Sequence, residues 1–289
     1  MNAAQNTASG WINGFIGVVI FSASLPATRA AVIDLDPMFV TFARASIAGA
    51  LAVVLLSAFR VSRPKQEDFA SLLIVALGVV VGFPLLTALA LRHITSAHSV
   101  VFIGLLPLST ALFGVLRGGE RPRPAFWIFS CLGSALVAGF ALTQSGVASL
   151  NGDALMLAAI IVCGLGYAEG AKLSRKLGGW QVISWALVLS LPAMGALLIF
   201  TLPSSFAGVG LHAWAGLAYV SVFSMLIGFI FWYRGLAQGG IAGVGQLQLL
   251  QPFFGLSLSA ALLHEAVGWQ MIAVTGAVVL CVVGAKRFA

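Results

Sequence analysis

Three glutamines interrupt an apolar segment close to the C-terminal end of the chain: Gln246, Gln248 and Gln251. Gln248 and Gln251 are three residues apart, so they share one face of a helix just before Pro252. A side-chain amide can accept a hydrogen bond from an ammonium group and donate one to a carboxylate, although it has no charge itself. The three amides are therefore candidates for a substrate cavity, and hydrogen bonding between neighbouring helices is the alternative explanation.

Arg44 is a charged residue within an apolar segment, where an ionisable group is costly and is a functional candidate by default. The competing explanation is structural. A long side chain about two turns from a helix end can extend to the aqueous surface and meet Asp34 or Asp36.

Glu169 lies near the end of another apolar segment and is followed by Lys172 and Arg175. A salt bridge on the helix surface explains this residue without a role in binding, and a role in coupling or substrate contact is the alternative. His98 begins a further apolar segment and is either a helix start or a member of a proton relay.

Prolines inside apolar segments free backbone carbonyl groups, which membrane proteins tolerate beside a cavity or a neighbouring helix. Such prolines can be gates or hinges, and simple packing kinks are the alternative. The candidates are Pro26, Pro84, Pro107 and Pro252. Hydroxyl and aromatic residues of the same segments are candidates for a cavity wall: Ser22, Ser24, Thr87, Phe83, Phe102, Tyr167, Phe229 and Tyr233.

No pattern indicates a catalytic group, a metal site or a cofactor. The glycines do not form a phosphate loop with a lysine, and neither paired carboxylates nor a His/Asp spacing occurs. Cys131, Cys163 and Cys281 each fall within an apolar segment, and an odd number of such thiols does not favour disulfides or a metal cluster. We therefore expect no enzyme activity.

The composition determines the elements that must position these residues. Of the 289 residues, 60% are hydrophobic and 8% are charged, and the mean hydropathy is +1.06. Globular domains have roughly 25% charged residues, so the chain is predicted to be a polytopic membrane protein. The net charge of +7 comes from residues in short loops, which does not indicate a nucleic-acid-binding face.

Apolar runs of about 20 residues, the length that crosses a bilayer, recur ten times. The predicted spans are 11–33, 38–59, 69–91, 97–116, 125–143, 154–173, 181–202, 211–234, 241–263 and 267–285. The first run has no lysine or arginine before it, so we expect a spanning helix there and not a secretory signal.

The loop charges predict the orientation of these spans. With the N-terminus inside, the inner loops contain Arg60, Arg63, Lys65, Arg117, Arg121, Arg123, Lys172, Arg175, Lys176, Arg234, Lys286 and Arg287. The outer side has only Arg29 and Arg92, so both termini are predicted to be cytoplasmic, in the bacterial inner membrane. Tryptophans near helix ends fit an aromatic belt: Trp11, Trp127, Trp180, Trp214, Trp232 and Trp269.

An internal repeat relates the two halves of the chain. Pro107 and Pro252 are 145 residues apart, as are Glu120 and Glu265, and the pairs Leu91/Leu236 and Gly139/Gly284 keep this spacing. One repeat contains five predicted helices, and five is odd, so the second copy must cross the bilayer in the opposite sense. We predict repeats over 1–147 and 148–289. Inverted repeats are typical of secondary transporters with alternating access.

The segments Leu91–Glu120 and Leu236–Glu265 resemble the paired EamA units of the drug/metabolite transporter superfamily, over nearly the whole chain. Each has a helix end, a short turn, an alanine-led helix with a central proline and a final glutamate. The resemblance implies ten helices, export of small metabolites, often amino acids, and a cavity between helices one, three, four, six, eight and nine. Within the superfamily, the chain resembles the bacterial aromatic amino-acid exporters.

The predicted function is therefore export of a small metabolite, with amino acids as the favoured substrates. Exporters of nucleosides, sugars or organic cations, a channel and a membrane enzyme are the alternatives. Because buried carboxylates are nearly absent, we favour facilitated diffusion or coupling through a histidine. The expected partners are the substrate and the lipid bilayer, without nucleic acid, and the chain is expected to be a monomer.

Overall fold

The computed structural model describes residues 3–90, 93–94, 96–144, 149–263 and 269–289. In these ranges the chain forms helices and short connections, without a strand, which confirms an all-helical fold for the described residues. The α-helices are α1 (Ala3–Ser22), α2 (Ser24–Val32), α3 (Pro37–Ala58), α4 (Phe69–Val75), α5 (Phe83–Ala90), α6 (Ser96–Ile103), α7 (Leu106–Gly118), α8 (Pro124–Gln144), α9 (Leu150–Leu177), α10 (Gly179–Phe200), α11 (Leu211–Tyr219), α12 (Gly228–Gly239), α13 (Ile241–Gly245), α14 (Gln251–Leu263) and α15 (Trp269–Phe288).

Short segments of other helix types join some of these α-helices. Two π-helical segments, Ala76–Gly82 and Val220–Ile227, connect α4 to α5 and α11 to α12. Two 3-10 segments, Gln66–Asp68 and Gln246–Leu250, precede α4 and α14. Such segments inside long helices often mark functional positions.

The candidate hinge prolines all lie near a helix start that follows an interruption of the α-helical pattern. They are the second or third residue of their helices: Pro26 in α2, Pro84 in α5, Pro107 in α7 and Pro252 in α14. A proline has no N–H and crowds the carbonyl four residues earlier, so it fits best in the first turn. Within the predicted spans 11–33, 97–116 and 241–263, the α-helix is interrupted close to these prolines, and the candidate spans Thr7–Val32 and Val101–Gly118 agree with the first two.

Helix starts recur at the spacing found in the sequence. Two helices of the second half begin 145 residues after a helix of the first half: Phe83/Gly228 and Leu106/Gln251. The two π-helical segments also end 145 residues apart, at Gly82 and Ile227.

The helices pack in pairs whose small residues allow close approach. The main pairs are α1 with α12, α3 with α10, α8 with α15, α7 with α9 and α2 with α11. A Cβ atom on Gly235 would lie 2.5 Å from the Gly14 nitrogen, so only glycine fits this contact between α12 and α1.

Seven helical stretches of the described residues are long and apolar enough to cross a membrane: Thr7–Val32, Pro37–Ala58, Gln66–Ala90, Val101–Gly118, Leu150–Leu177, Gly179–Phe200 and Leu211–Gly239. Pro124–Phe140 is a shorter apolar helix. The remaining two predicted spans correspond to α13–α14 and α15, and the count of ten spans stays a prediction.

Candidate functional site

Aromatic side chains from three helices meet in the largest buried core of the described residues. They are Phe21 of α1, Tyr167 of α9, and Phe229, Trp232 and Tyr233 of α12, which we call the aromatic cluster. The ring centroids of Tyr167 and Trp232 are 5.6 Å apart, and those of Phe21 and Phe229 are 4.9 Å apart. Three predicted wall residues, Tyr167, Phe229 and Tyr233, thus lie together on facing helices.

The predicted glutamines adjoin this cluster. Gln246 and Gln248 are buried in the 3-10 segment, and the Gln248 side chain lies within hydrogen-bonding reach of the Tyr167 hydroxyl. In the described part of the chain, no hydrogen-bond partner meets either Oε1 atom or the Trp232 Nε1 atom. A buried polar atom left unpaired costs about 1–3 kcal/mol, so these atoms would be stabilised by a bound polar group.

The other predicted cavity residues have varied surroundings. Ser24 donates its hydroxyl to the Ser224 hydroxyl oxygen at 2.8 Å, joining α2 to a π-helical segment. The Thr87 Oγ1 atom is buried, and no partner meets it among the described residues. Phe83 and Phe102 pack against the main core, and Gln251 is half-buried at the start of α14. The side chain of His98 lies outside the described residues.

Glu169 is completely buried and joins three helices. Its Oε2 atom accepts a hydrogen bond from the Ser71 hydroxyl of α4 at 2.8 Å, and its Oε1 atom forms an ion pair with Arg117 of α7. The predicted local salt bridge with Lys172 or Arg175 is therefore wrong. Glu169 is buried against α4 and α7, whereas Lys172, three residues later, is exposed.

Glu120 caps the start of a helix in the other half of the chain. Its two carboxylate oxygens accept hydrogen bonds from the backbone N–H groups of Ile241 and Ala242, at 2.6 and 2.7 Å. Arg175 of α9 donates to the same carboxylate at 3.1 Å. The first N–H groups of a helix have no partner within it, and the helix dipole favours a negative charge there. We call these contacts the Glu120 cap; Glu265, its counterpart in the repeat, lies outside the described residues.

These ionic groups lie at one end of the bundle, together with the Trp11 region of α1 and the end of α15. Lys176 donates to Glu67 and Asp68 at 2.5 and 2.8 Å, and Lys286 of α15 lies 4.7 Å from the ring centroid of Trp11. We call this the basic end. A cavity of about 340 Å³ opens there, lined by Ser174, Arg175, Ala237 and Gln238.

Arg44 does not have the partners that the sequence suggested. Asp36 accepts hydrogen bonds from two backbone N–H groups at the start of α3. Asp34 accepts one from a backbone N–H and lies 3.2 Å from His212 Nε2. The extension of Arg44 to Asp34 or Asp36 is therefore wrong. In the described ranges the buried Nε atom of Arg44 has no hydrogen-bond partner.

Trp232 and Arg117 were missed as site residues. Trp232 was assigned to an aromatic belt, but it is 0% exposed. Phe229, Trp232 and Tyr233 have the spacing of one helix face, which could have indicated a shared buried surface. Arg117 gave no such signal, because its partner Glu169 is 52 residues away in the chain.

Apolar helices of membrane-spanning length, with amides and a carboxylate buried between them, indicate a helical membrane protein with a functional polar interior. The model of the EamA-like transporter family matches the chain twice, over residues 8–142 and 150–285. The chain therefore belongs to this family, and the resemblance seen in the sequence is confirmed at the family level.

Relatives and a solved structure agree with this assignment. The chain is 70% identical over 285 residues to "Uncharacterized transporter YdeK" of Bacillus subtilis (strain 168), which covers 99% of each chain. It is 22% identical over 256 residues to an "Uncharacterized transporter" of Archaeoglobus fulgidus, covering 86% of this chain and 87% of that one. A solved crystal structure with 18% identity matches with a TM-score of 0.82, over 97% of this chain and 99% of that one, which supports the fold alone.

Proposed function

We propose that this transporter exports small metabolites, with amino acids including aromatic ones as substrates, across the bacterial inner membrane. The observation that supports this proposal best is the pair of unpartnered buried groups at the aromatic cluster. Among the described residues, the Gln248 Oε1 atom is an unpaired acceptor and the Trp232 Nε1 atom is an unpaired donor. Tyr167 contacts both side chains.

An amino acid complements these groups chemically. Its ammonium group can donate to the Gln248 oxygen, and its carboxylate can accept from the Trp232 N–H. An aromatic or aliphatic side chain would pack against the rings of Phe21, Phe229 and Tyr233, which favour such contacts.

Alternating access by two inverted repeats, 1–147 and 148–289, is the mechanism that we propose. The two matches of the family model, the recurring helix starts and the paired π-helical segments support a duplication. With ten spans, each repeat has five, and the halves cross the membrane in opposite senses. Pro26, Pro84, Pro107 and Pro252, at the interruptions, are the proposed hinges.

We propose that the basic end faces the cytoplasm and that, in this structure, the path from there to the aromatic cluster is closed. The excess of lysine and arginine there supports this orientation, with both termini inside. The Glu120 cap joins α7 in the first half to α13 in the second half. We propose that the cap breaks when the basic end opens to admit a cytoplasmic substrate, and that the transporter works as a monomer.

Organic cations are the second candidate substrate class. The aromatic cluster offers several ring faces, and a cation over such a face is attracted by about 0.5–2 kcal/mol. An organic cation would use the Gln248 oxygen but would leave the Trp232 N–H unpaired. Transport of a carboxylate-free amine as fast as the matching amino acid would favour this class.

The test is transport by purified protein in proteoliposomes. A panel of labelled amino acids, nucleosides, sugars and amines would be measured with and without an imposed proton gradient. We expect saturable transport of an amino acid without the gradient. If only a non-amino-acid moves, the substrate class is wrong, and strict dependence on the gradient would refute facilitated diffusion.

A further inference from the structure

Asp68 is a buried carboxylate at the basic end with one unsatisfied oxygen. The residue is 4% exposed, and its Oδ1 atom accepts from Lys176 Nζ at 2.8 Å. Among the described residues, nothing donates to its Oδ2 atom. Asp68 precedes α4 in the position where an aspartate usually caps a helix, yet its side chain makes no capping hydrogen bond. The Oδ2 atom is therefore a buried acceptor that lacks a donor in the part of the chain that the structure describes.

A cavity of about 110 Å³ adjoins this carboxylate. Arg63 and Lys65 line it together with Asp68, Lys176 and Trp185. In the described ranges neither Arg63 nor Lys65 forms an ion pair, whereas Lys176 is already paired with Asp68 and Glu67. Within the described part of the chain, the cavity thus offers two cations without a close ion pair, of which Lys65 interacts with Glu67 at longer range, and one carboxylate oxygen without a donor. A ligand that fits has both an anionic group and an N–H donor.

An exposed apolar stripe begins directly beside Asp68. Phe69 and Leu73 are 44% and 52% exposed and are four residues apart on α4, and Leu77 continues the stripe at 55%. Near the same end, the rings of Phe59 and Trp180 are in contact, with centroids 5.5 Å apart. Tryptophan is enriched at the membrane–water interface, so this pair is consistent with a position at the lipid headgroups. A soluble zwitterion would leave this stripe unused, whereas a lipid would lay its acyl chain along it.

We propose that this cavity binds the headgroup of an aminophospholipid of the phosphatidylethanolamine type. The phosphate would contact Arg63 and Lys65, the ammonium group would donate to Asp68 Oδ2, and the acyl chain would follow Phe69 and Leu73. This site is independent of the substrate, because its residues are separate from the aromatic cluster and the glutamines.

The experiment counts lipids bound to the full chain by native mass spectrometry. Delipidated protein in detergent is titrated with phosphatidylethanolamine or phosphatidylglycerol that have identical acyl chains. Phosphatidylglycerol has the phosphate but no ammonium group. We expect about tenfold tighter binding of phosphatidylethanolamine, which corresponds to about 1.4 kcal/mol.

Matched variants test the role of each group. Asp68→Asn retains an oxygen for Lys176 but places an amide donor in the second position, so the preference for phosphatidylethanolamine should disappear. Glu67→Gln is the control, because Glu67 also pairs with Lys176 but is exposed, and it should retain the preference. Arg63→Gln changes only an exposed loop side chain and should weaken both lipids severalfold, which tests the site even if Asp68→Asn does not fold.

Three results would overturn the proposal. Equal binding of both lipids by the wild type would remove the role of Asp68, and equal losses in Glu67→Gln and Asp68→Asn would indicate a general charge effect. Displacement of the lipid by free phosphoethanolamine at the same concentration would indicate a soluble ligand in place of a lipid.

Discussion

Replacing Glu120 by glutamine should shift the transporter toward a state that is open at the basic end. The wild-type carboxylate accepts two backbone N–H groups at 2.6 and 2.7 Å, whereas a glutamine amide has only one acceptor oxygen. The loss of a charge-assisted hydrogen bond costs about 1.5–3 kcal/mol. The exposed pair with Arg175 adds only about 0.2–1 kcal/mol. If the cap exists only in the closed state, a total of about 2–4 kcal/mol changes the closed-to-open ratio by about 30- to 700-fold.

Cysteine accessibility measures this shift directly. Ser174 lines the cavity at the basic end and is buried, so Ser174→Cys is a small change at an informative position. The background would have Cys131, Cys163 and Cys281 replaced by alanine. We expect a membrane-impermeant maleimide, applied to the basic end, to label this cysteine at least tenfold faster with Glu120→Gln than without it.

The control separates conformational change from loss of stability. Glu67→Gln removes an exposed acid at the same end and should leave the labelling rate within twofold of the parent protein. If Glu120→Gln lowers the melting temperature while labelling is unchanged, the cap is a permanent structural contact. That result would refute its proposed role in opening.

Three further substitutions test the site and the packing. Gln248→Leu should lower kcat/KM for the amino-acid substrate about tenfold or more, because a charge-assisted hydrogen bond is lost; Gln270→Leu, an exposed amide on α15, is the control and should have no effect. Gly235→Ala places a Cβ atom 2.5 Å from a backbone nitrogen, so it should lower the free energy of unfolding by about 1–3 kcal/mol, measured by thermal unfolding. Gly276→Ala is the control, because a Cβ atom there meets open space and should leave the stability unchanged. Glu169→Gln should lower the melting temperature, because it weakens the ion pair between the buried Glu169 and the half-exposed Arg117. It should leave any response of transport to a proton gradient unchanged, and loss of that response would assign Glu169 to coupling.

The sequence predicted features that depend on local chemistry or on composition. The apolar runs indicated an all-helical membrane fold, and the prolines lie where the helices are interrupted, because a missing N–H acts within one turn. The spacing of Pro107 and Pro252 also anticipated the recurrence of helix starts at 145 residues. The glutamines were singled out by contrast with their apolar surroundings, and Gln246 and Gln248 are indeed buried.

The sequence did not predict contacts between distant segments. Glu169 was assigned a partner on its own helix, yet its partner Arg117 lies on α7. Trp232 was assigned to the membrane surface because it lies near a helix end, but α12 turns this face toward α1 and α9. Which way a helix faces depends on tertiary packing, and composition alone does not determine it in a chain that is apolar on nearly every side.

The most direct test of the central claim is an exchange measurement in proteoliposomes. Vesicles loaded with an unlabelled amino acid are compared with empty vesicles for uptake of the same labelled amino acid. An alternating-access transporter should show saturable uptake that is faster into the loaded vesicles, because the return step then carries substrate. Uptake that rises linearly with concentration and does not respond to internal substrate would indicate a channel and would contradict the account.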